Sequence, residues 1–237
     1  MQYKYIRLTV NDQVATLTLA REEKRNAFTP TMVNEIAHAI DQINGNQEVN
    51  LVILNALGPI FCAGMDLKTF NDPSIDIPNP EITNVDRSLG EVMRELVKPS
   101  IAIVEGDVIA GGFLLILGCS YVFAASHVRF KLPELDLGIF PFQVMASLLR
   151  VVPEKKVLQL CLETGYFDVQ HAISLGIVDG LLEEEKVNER INYLRNVKSD
   201  AVTAGIKALH ELSEASRYSL LKTRLNELKN KGENKTN

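Results

Sequence analysis

The chain has 237 residues, 46% of them hydrophobic, and a formal net charge of −5 at pH 7. That is enough apolar material for one domain with a sizeable core and a helical extension, and the acidic balance speaks against a general nucleic-acid binder. Cys62, Cys119 and Cys161 have no paired spacing, and the four histidines have no ligand spacing. These patterns exclude a disulfide framework and a metal centre and fit buried thiols in a reducing, cytoplasmic compartment.

Met1 to Arg7 carries charges and no apolar h-region, so no signal peptide is expected. Tyr3 to Val10 alternates, Asn11-Asp12 is a turn signal and Val14 to Leu19 is a second strand, which together predict a hairpin. A polar loop, Arg21 to Phe28, leads to Thr29, a helix cap with Pro30 at the first helical position. Val33, Ile36, Ala37, Ile40 and Ile43 form one stripe, and Gly45 is the stop. Val49 to Leu54 reads as a buried strand. Asp66 can cap a short helix from Leu67 to Phe70. Asn71 to Asp86, with Pro73, Pro78 and Pro80, is a loop. Ser88 to Lys98 is an amphipathic helix that Pro99 ends.

The chain is organised around Glu105 to Leu114, between a β-branched run, Ile101 to Val104, and an uncharged run, Phe113 to Ala125. This predicts a buried strand, a glycine turn and a buried helix. Val108 to Ser126 is long enough to resemble a membrane span, but Gly111-Gly112 and Gly118-Cys119-Ser120 break it, so no membrane helix is expected. Glycines at a helix start let a ligand approach the backbone, where free N–H groups and the helix dipole favour a developing negative charge. Neither a P-loop lysine nor a dinucleotide fingerprint is present. A strand, glycine turn and helix also occur around Gly64. Two such turns side by side would supply the two donors of an oxyanion hole.

Val128 to Leu132 reads as a short strand. After it, Pro133 to Phe142 is a loop crowded with apolar groups that contains Glu134, whose carboxyl such surroundings would push upward in pKa. Pro153 to Leu162 is helical, Asp168 caps a helix ending at Gly176, and Ile177 to Asp179 is briefly extended. From Glu183 the sequence is charged and helical to about Lys229, and Asn230 to Asn237 is expected to be a disordered tail. The domain division is a core over 1–185 and a C-terminal helical region over 186–237.

Phe61-Cys-Ala-Gly-Met-Asp-Leu, then Ala110-Gly-Gly-Phe, then Pro133-Glu134 followed by Leu137-Gly138, resembles the crotonase (enoyl-CoA hydratase/isomerase) superfamily. Thr164-Gly165, Ala172 and Leu175-Gly-Ile-Val-Asp fit as well, and Arg21 to Phe28 resembles the family's N-terminal loop with Glu22 where proline is usual. The resemblance implies an α/β fold, a spiral of ββα repeats with a C-terminal helical region that assembles homotrimers or hexamers. It implies an acyl-CoA thioester as substrate, with coenzyme A part of that substrate and no separate cofactor. By position, the Met65 and Gly111 N–H groups would form the oxyanion hole, and backbone around Ala63, Gly64, Asp66 and Leu67 would receive the adenine. Gly112 is a further substrate-binding candidate, and Lys24, Arg25 and Lys68 are candidates for CoA phosphates. The chain ends soon after Leu228, where many relatives have a further helical segment.

The family hydratase uses two glutamates; here the first position is Leu114 and the second Glu134. Hydration requires water to be held and a proton delivered to carbon, work that two carboxylates share, whereas one carboxylate suffices for a double-bond shift. The expectation is therefore an enoyl-CoA isomerase with Glu134 as the single acid/base. The alternatives are a hydratase, a decarboxylase and a non-catalytic acyl-CoA binder. Glu105, Asp107 and Asp136 read as structural or surface acids. The acyl pocket is expected to be lined by Phe70, Phe113, Leu114, Phe140 and Phe142, with Asn71 to Asp86 as its lid.

Overall fold

The computed structural model describes residues 1–197 and 200–211. The hairpin is present as β1 (Ile6–Asn11) and β2 (Val14–Leu19), antiparallel, with Ile6 opposite Leu19. Asp12 and Gln13 both have positive φ, 46° and 65°, the backbone that a two-residue turn between twisted strands requires. The first strand starts later than Tyr3 because the Lys4 and Tyr5 N–H groups donate to the buried Glu35 carboxylate instead, at 2.6 and 2.8 Å.

Helix α1 (Pro30–Gly45) begins as expected, with the Thr29 hydroxyl accepting from the Met32 N–H and Pro30 at the first position. Its stripe Val33, Ile36, Ala37, Ile40 and Ile43 is buried. Strand β3 (Leu51–Ala56) lies two residues beyond the expected span, since the Val49 N–H closes a turn onto the Asn46 carbonyl. It is followed by β4 (Ile60–Cys62) and by α2 (Leu67–Asn71), capped by Asp66, which accepts from the Lys68 N–H. Helix α3 (Leu89–Arg94) is shorter than its amphipathic pattern, and Ser88 and Glu91 form a reciprocal capping box at its start.

Next come β5 (Ser100–Val104), β6 (Asp107–Ile109), α4 (Gly112–Ile116), β7 (Tyr121–Ala124) and β8 (Arg129–Lys131). The uncharged run is thus a five-residue helix and a new strand. Helix α5 (Phe142–Leu148) begins at the end of the expected loop, in a stretch to which the sequence reading assigns no element, and is marked by Val144 and Leu148, buried at a spacing of one helical turn. Helix α6 (Glu154–Leu162), β9 (Phe167–Asp168), α7 (Val169–Ser174), β10 (Gly180–Leu181) and α8 (Glu184–Arg195) follow. Asp168 caps α7 through the His171 N–H. Residues 200–211 are helical again. The expected helix end near Lys229 and the tail from Asn230 lie outside the described residues.

The strands form two sheets, ordered β1-β2-β3-β5-β7-β10 and β4-β6-β8-β9. All pairs are parallel except β1 with β2 and β8 with β9. Each pass of the chain gives one strand to each sheet, β3 then β4, β5 then β6, β7 then β8. This spiral is an α/β fold built from ββα repeats. Alternation along β3 and β5 points Val52 and Ala102 into the main core, while Leu51 and Ile101 face the other way and meet Val187 and Leu194 of α8. Among the described residues no helix is long and apolar enough to cross a membrane, and no group of histidine, cysteine and acidic side chains could hold a metal ion.

Candidate active site

The echo between Gly64 and Gly111 is a spatial neighbourhood. Because β4 runs parallel to β6 with Cys62 opposite Val108, the turns that follow them emerge together. Gly64 has φ +87°, and a Cβ there would stand 2.7 Å from the Ala110 Cβ and 3.2 Å from the Gly111 nitrogen. Only glycine allows both that backbone and that approach. Ala110 itself is held left-handed, at φ 51°, a strained conformation for a residue with a Cβ.

The loop Arg21 to Phe28 fastens the first turn in place. Asn26, fully buried at φ 52°, accepts from the Arg21 N–H and donates to the carbonyls of Leu57 and Ile60. The Ala63 N–H donates to the Arg25 carbonyl at 3.0 Å, the Phe28 N–H to the Gly64 carbonyl at 2.8 Å, and the Asp66 N–H to the Phe28 carbonyl at 2.9 Å. The Met65 N–H lies between these bonds and enters none of them. On the second turn the Ala110 N–H donates to the Lys131 carbonyl, while the Gly111 N–H is likewise unused among the described backbone bonds. Helix α4 spans five residues, so this turn offers directed N–H groups rather than the strong dipole a long helix would supply.

Both turns open on a cavity of about 360 Å³. Met65, Gly111, Leu114 and Glu134 line it, as do Phe140 and Phe142. Ala63 and Leu67 stand at the same wall. Glu134 opens a 3-10 turn, Glu134–Leu137, that ends in left-handed Gly138, and its carbonyl accepts from the Ile139 N–H. The side chain is 8% exposed and its Oε2 has no hydrogen-bond partner. Burial in these apolar surroundings pushes its carboxyl above the ordinary value of 4.5, although its own backbone N–H pulls the other way. The acid limb of a kcat/KM profile is accordingly expected above pH 4.5, with activity rising as Glu134 loses its proton; a limb at or below 4.5 would show that another group titrates.

Several expected site residues are placed elsewhere. Gly112 is buried against Cys62, whose carbonyl would lie 2.8 Å from a Cβ, so it serves helix packing and does not line the cavity. Gly64 shapes the turn from behind. Asp66 pairs with the buried Arg21 at 2.8 Å and caps α2. Burial alone would raise its pKa, but the bonds from Arg21 and the Lys68 N–H outweigh that and hold it below the usual range. Lys24, Arg25 and Lys68 are exposed and none lines the cavity. Phe70 points to solvent, 65% exposed, and Phe113 is buried with Phe130 and Phe167 in an aromatic cluster.

The proline loop contributes nothing to the cavity wall and is tied to α1: Asp76 accepts from the Thr31 N–H, Asn79 donates to Glu35, and the Asn34 side chain bonds Val85. Glu105 is exposed, with its carbonyl bonded by His127. Asp107 pairs with Arg129 at 2.7 Å, and Asp136 lies exposed, 4.0 Å from Lys131. None of the three reaches the cavity. The Cys62 thiol is pushed up to about 12 by burial, which makes it inert.

Phe28 and Gln143 are among the lining residues that sequence reading did not place at the site. The Phe28 ring packs where a Cβ on Gly111 would be, 2.7 Å away, and closes the cavity behind the second turn. Gln143 also lines the cavity; no motif marks it, and only the presence of α5 brings it there.

A buried carboxylate with one unpartnered oxygen, on the wall of an apolar cavity that two turns with unused backbone donors also line, is suited to proton transfer beside a carbonyl. The carboxylate can take a proton from carbon alpha to a carbonyl while the donors hold the oxygen that becomes negative. The family profile described as enoyl-CoA hydratase/isomerase matches residues 9–233. A Bacillus subtilis (strain 168) protein named "Probable enoyl-CoA hydratase" is 30% identical over 191 residues, 80% of this chain and 74% of that one. An enoyl-CoA hydratase/isomerase from Marinobacter aquaeolei matches in structure with TM-score 0.77, at 23% identity over 94% of this chain and 89% of the other. Human enoyl Coenzyme A hydratase domain-containing protein 3 matches with TM-score 0.76, at 20% identity over 94% and 91%. At these identities the two structures bear on the fold.

Proposed function

The chain belongs to the enoyl-CoA hydratase/isomerase family, and from that premise we propose that it shifts the double bond of a 3-enoyl-CoA to the 2-position, with Glu134 as the single acid/base. One observation carries this reading. Among the described residues Glu134 is the only carboxylate on the cavity wall, and the position from which a second would reach in is occupied by Leu114, an aliphatic side chain 3% exposed.

The thioester oxygen would sit between the Met65 and Gly111 N–H groups. Glu134 then takes a proton from C2, and the C–H electron pair moves into the C1–C2 bond while charge gathers on the oxygen. Each preorganised donor is worth about 2.7–4 kcal/mol at that point. The dienolate takes the same proton back at C4, the C3–C4 double bond becomes C2–C3, and the carboxylate is regenerated. The apolar wall limits competing protonation by water.

The name of the Bacillus subtilis relative favours a second reading, hydration of a 2-enoyl-CoA. Turnover of 3-enoyl-CoA and 2-enoyl-CoA by the wild-type protein decides between them. Isomerisation faster than hydration by tenfold or more is the expected result; hydration as fast as isomerisation would overturn it and require a second water-activating group.

A further inference from the structure

We infer that the rim of the cavity holds a hydrogen-bonding subsite at Gln143, backed by Ser88, and that the acyl group carries an oxygen substituent, hydroxyl or keto, remote from the thioester. This rests on the acyl-CoA reading of the cavity and adds the class of acyl chain.

Apart from Glu134, Gln143 is the only residue with a polar side chain on the cavity lining among the described residues. It stands at the rim, exposed, on the first turn of α5. Its Oε1 accepts from the Ser88 hydroxyl at 3.3 Å, which turns the amide so that its NH2 group, two donors, has no partner among the described residues. Gly90 of α3 supplies the second part of the observation. The space over its Cα is bounded by the Leu114 Cδ2, the Ser88 Oγ and the Ser147 Oγ, 3.4, 3.6 and 3.9 Å from where a Cβ would be. Two hydroxyls and an amide therefore gather where α3, α4 and α5 meet, beside the leucine that fills the second-glutamate position.

A purely hydrocarbon chain has no use for these groups, and laying one across them would strip water from an amide without replacing its hydrogen bonds. An acyl oxygen would accept from the Gln143 NH2 group, while Ser88 behind it holds the amide in place.

Calorimetric binding of three saturated thioesters, which cannot isomerise, tests this: hexanoyl-CoA, 5-oxohexanoyl-CoA and 6-hydroxyhexanoyl-CoA. The wild-type protein is expected to bind at least one oxygenated ligand about five- to tenfold more tightly than hexanoyl-CoA, the range of one net hydrogen bond. Gln143→Leu is expected to bring that ratio to about one, and Ser88→Ala to lower it. Equal or tighter wild-type binding of hexanoyl-CoA, or a preference that survives Gln143→Leu, overturns the subsite while leaving the acyl-CoA reading intact. No binding of any of the three removes that reading, and the subsite with it.

Discussion

Replacing Glu134 by glutamine is expected to lower the isomerisation rate by about 10²- to 10⁴-fold, the contribution of a positioned acid/base, while acyl-CoA binding is kept. Glutamine has the same size and can reach the same space, but it cannot take the C2 proton. A variant within tenfold of wild type in 3-enoyl-CoA turnover would remove Glu134 from the mechanism. The same substitution carries a signature in stability. Burial raises the Glu134 carboxyl pKa in the folded chain, so between the unfolded and folded values the native state holds more protons than the unfolded one. Its stabilising contribution is complete below the unfolded carboxyl range and is lost as pH rises through the raised folded value. Glutamine has no such loss. Glu134→Gln is therefore expected to be more stable than wild type at neutral pH, with the gain vanishing below the ordinary carboxyl range, as denaturant titrations at two pH values would show. A gain that is the same at both would mean that the charge of Glu134 is not what the fold resists.

Gly64→Ala is expected to damage fold and chemistry together. The new Cβ meets φ +87° and a contact of 2.7 Å with the Ala110 Cβ, with the Gly111 nitrogen at 3.2 Å and the Ile109 carbonyl at 3.3 Å. Ala110 has little room to yield, being left-handed already. Backbone strain and overpacking together cost roughly 2–5 kcal/mol, a fall in Tm of roughly 5–15 °C for a chain of this size. In the fraction that still folds, the two turns must part, and displacement of one donor lowers kcat by about 10²-fold. Gly165→Ala is the control, since a Cβ there meets nothing within 4 Å. If Gly64→Ala melts with the control and retains its rate, the close approach of the turns is not needed for the reaction.

What could be read from the amino acids was local. Thr29 with Pro30, Asp66 and Asp168 act through neighbours two or three residues away, and each caps the helix its pattern predicts. The paired glycine turns were legible because glycine is favoured where φ is positive, as at Gly64, and where a Cβ would collide with a neighbour, as at Gly111 and Gly112. Glu134 stood out because a carboxyl among Leu135, Leu137, Ile139 and Phe140 must be desolvated. What was not legible depends on partners far along the chain. The hold of Glu35 on Lys4 and Tyr5, the tie of Asp76 to Thr31, and the pairing of Arg21 with Asp66 each join residues 30 to 45 positions apart. The meeting of Ser88 with Gln143 spans 55. Gly112 illustrates the same limit: its sequence context cannot tell a ligand that approaches from Cys62 packing behind it.

The lacing of residues 21–28 onto the first turn also fixes when the site can exist during synthesis. Loop 21–28 leaves the ribosome early, its partners at Ala63, Gly64 and Asp66 later, and Lys131, which holds Ala110 in the second turn, later still. At ordinary elongation rates the last of these follows the first by roughly 5–20 s. Until Lys131 is out, the second turn lacks the carbonyl that holds Ala110, and the two turns are not yet fixed side by side. The paired glycine turns therefore reach their final form late in synthesis, however early loop 21–28 emerges.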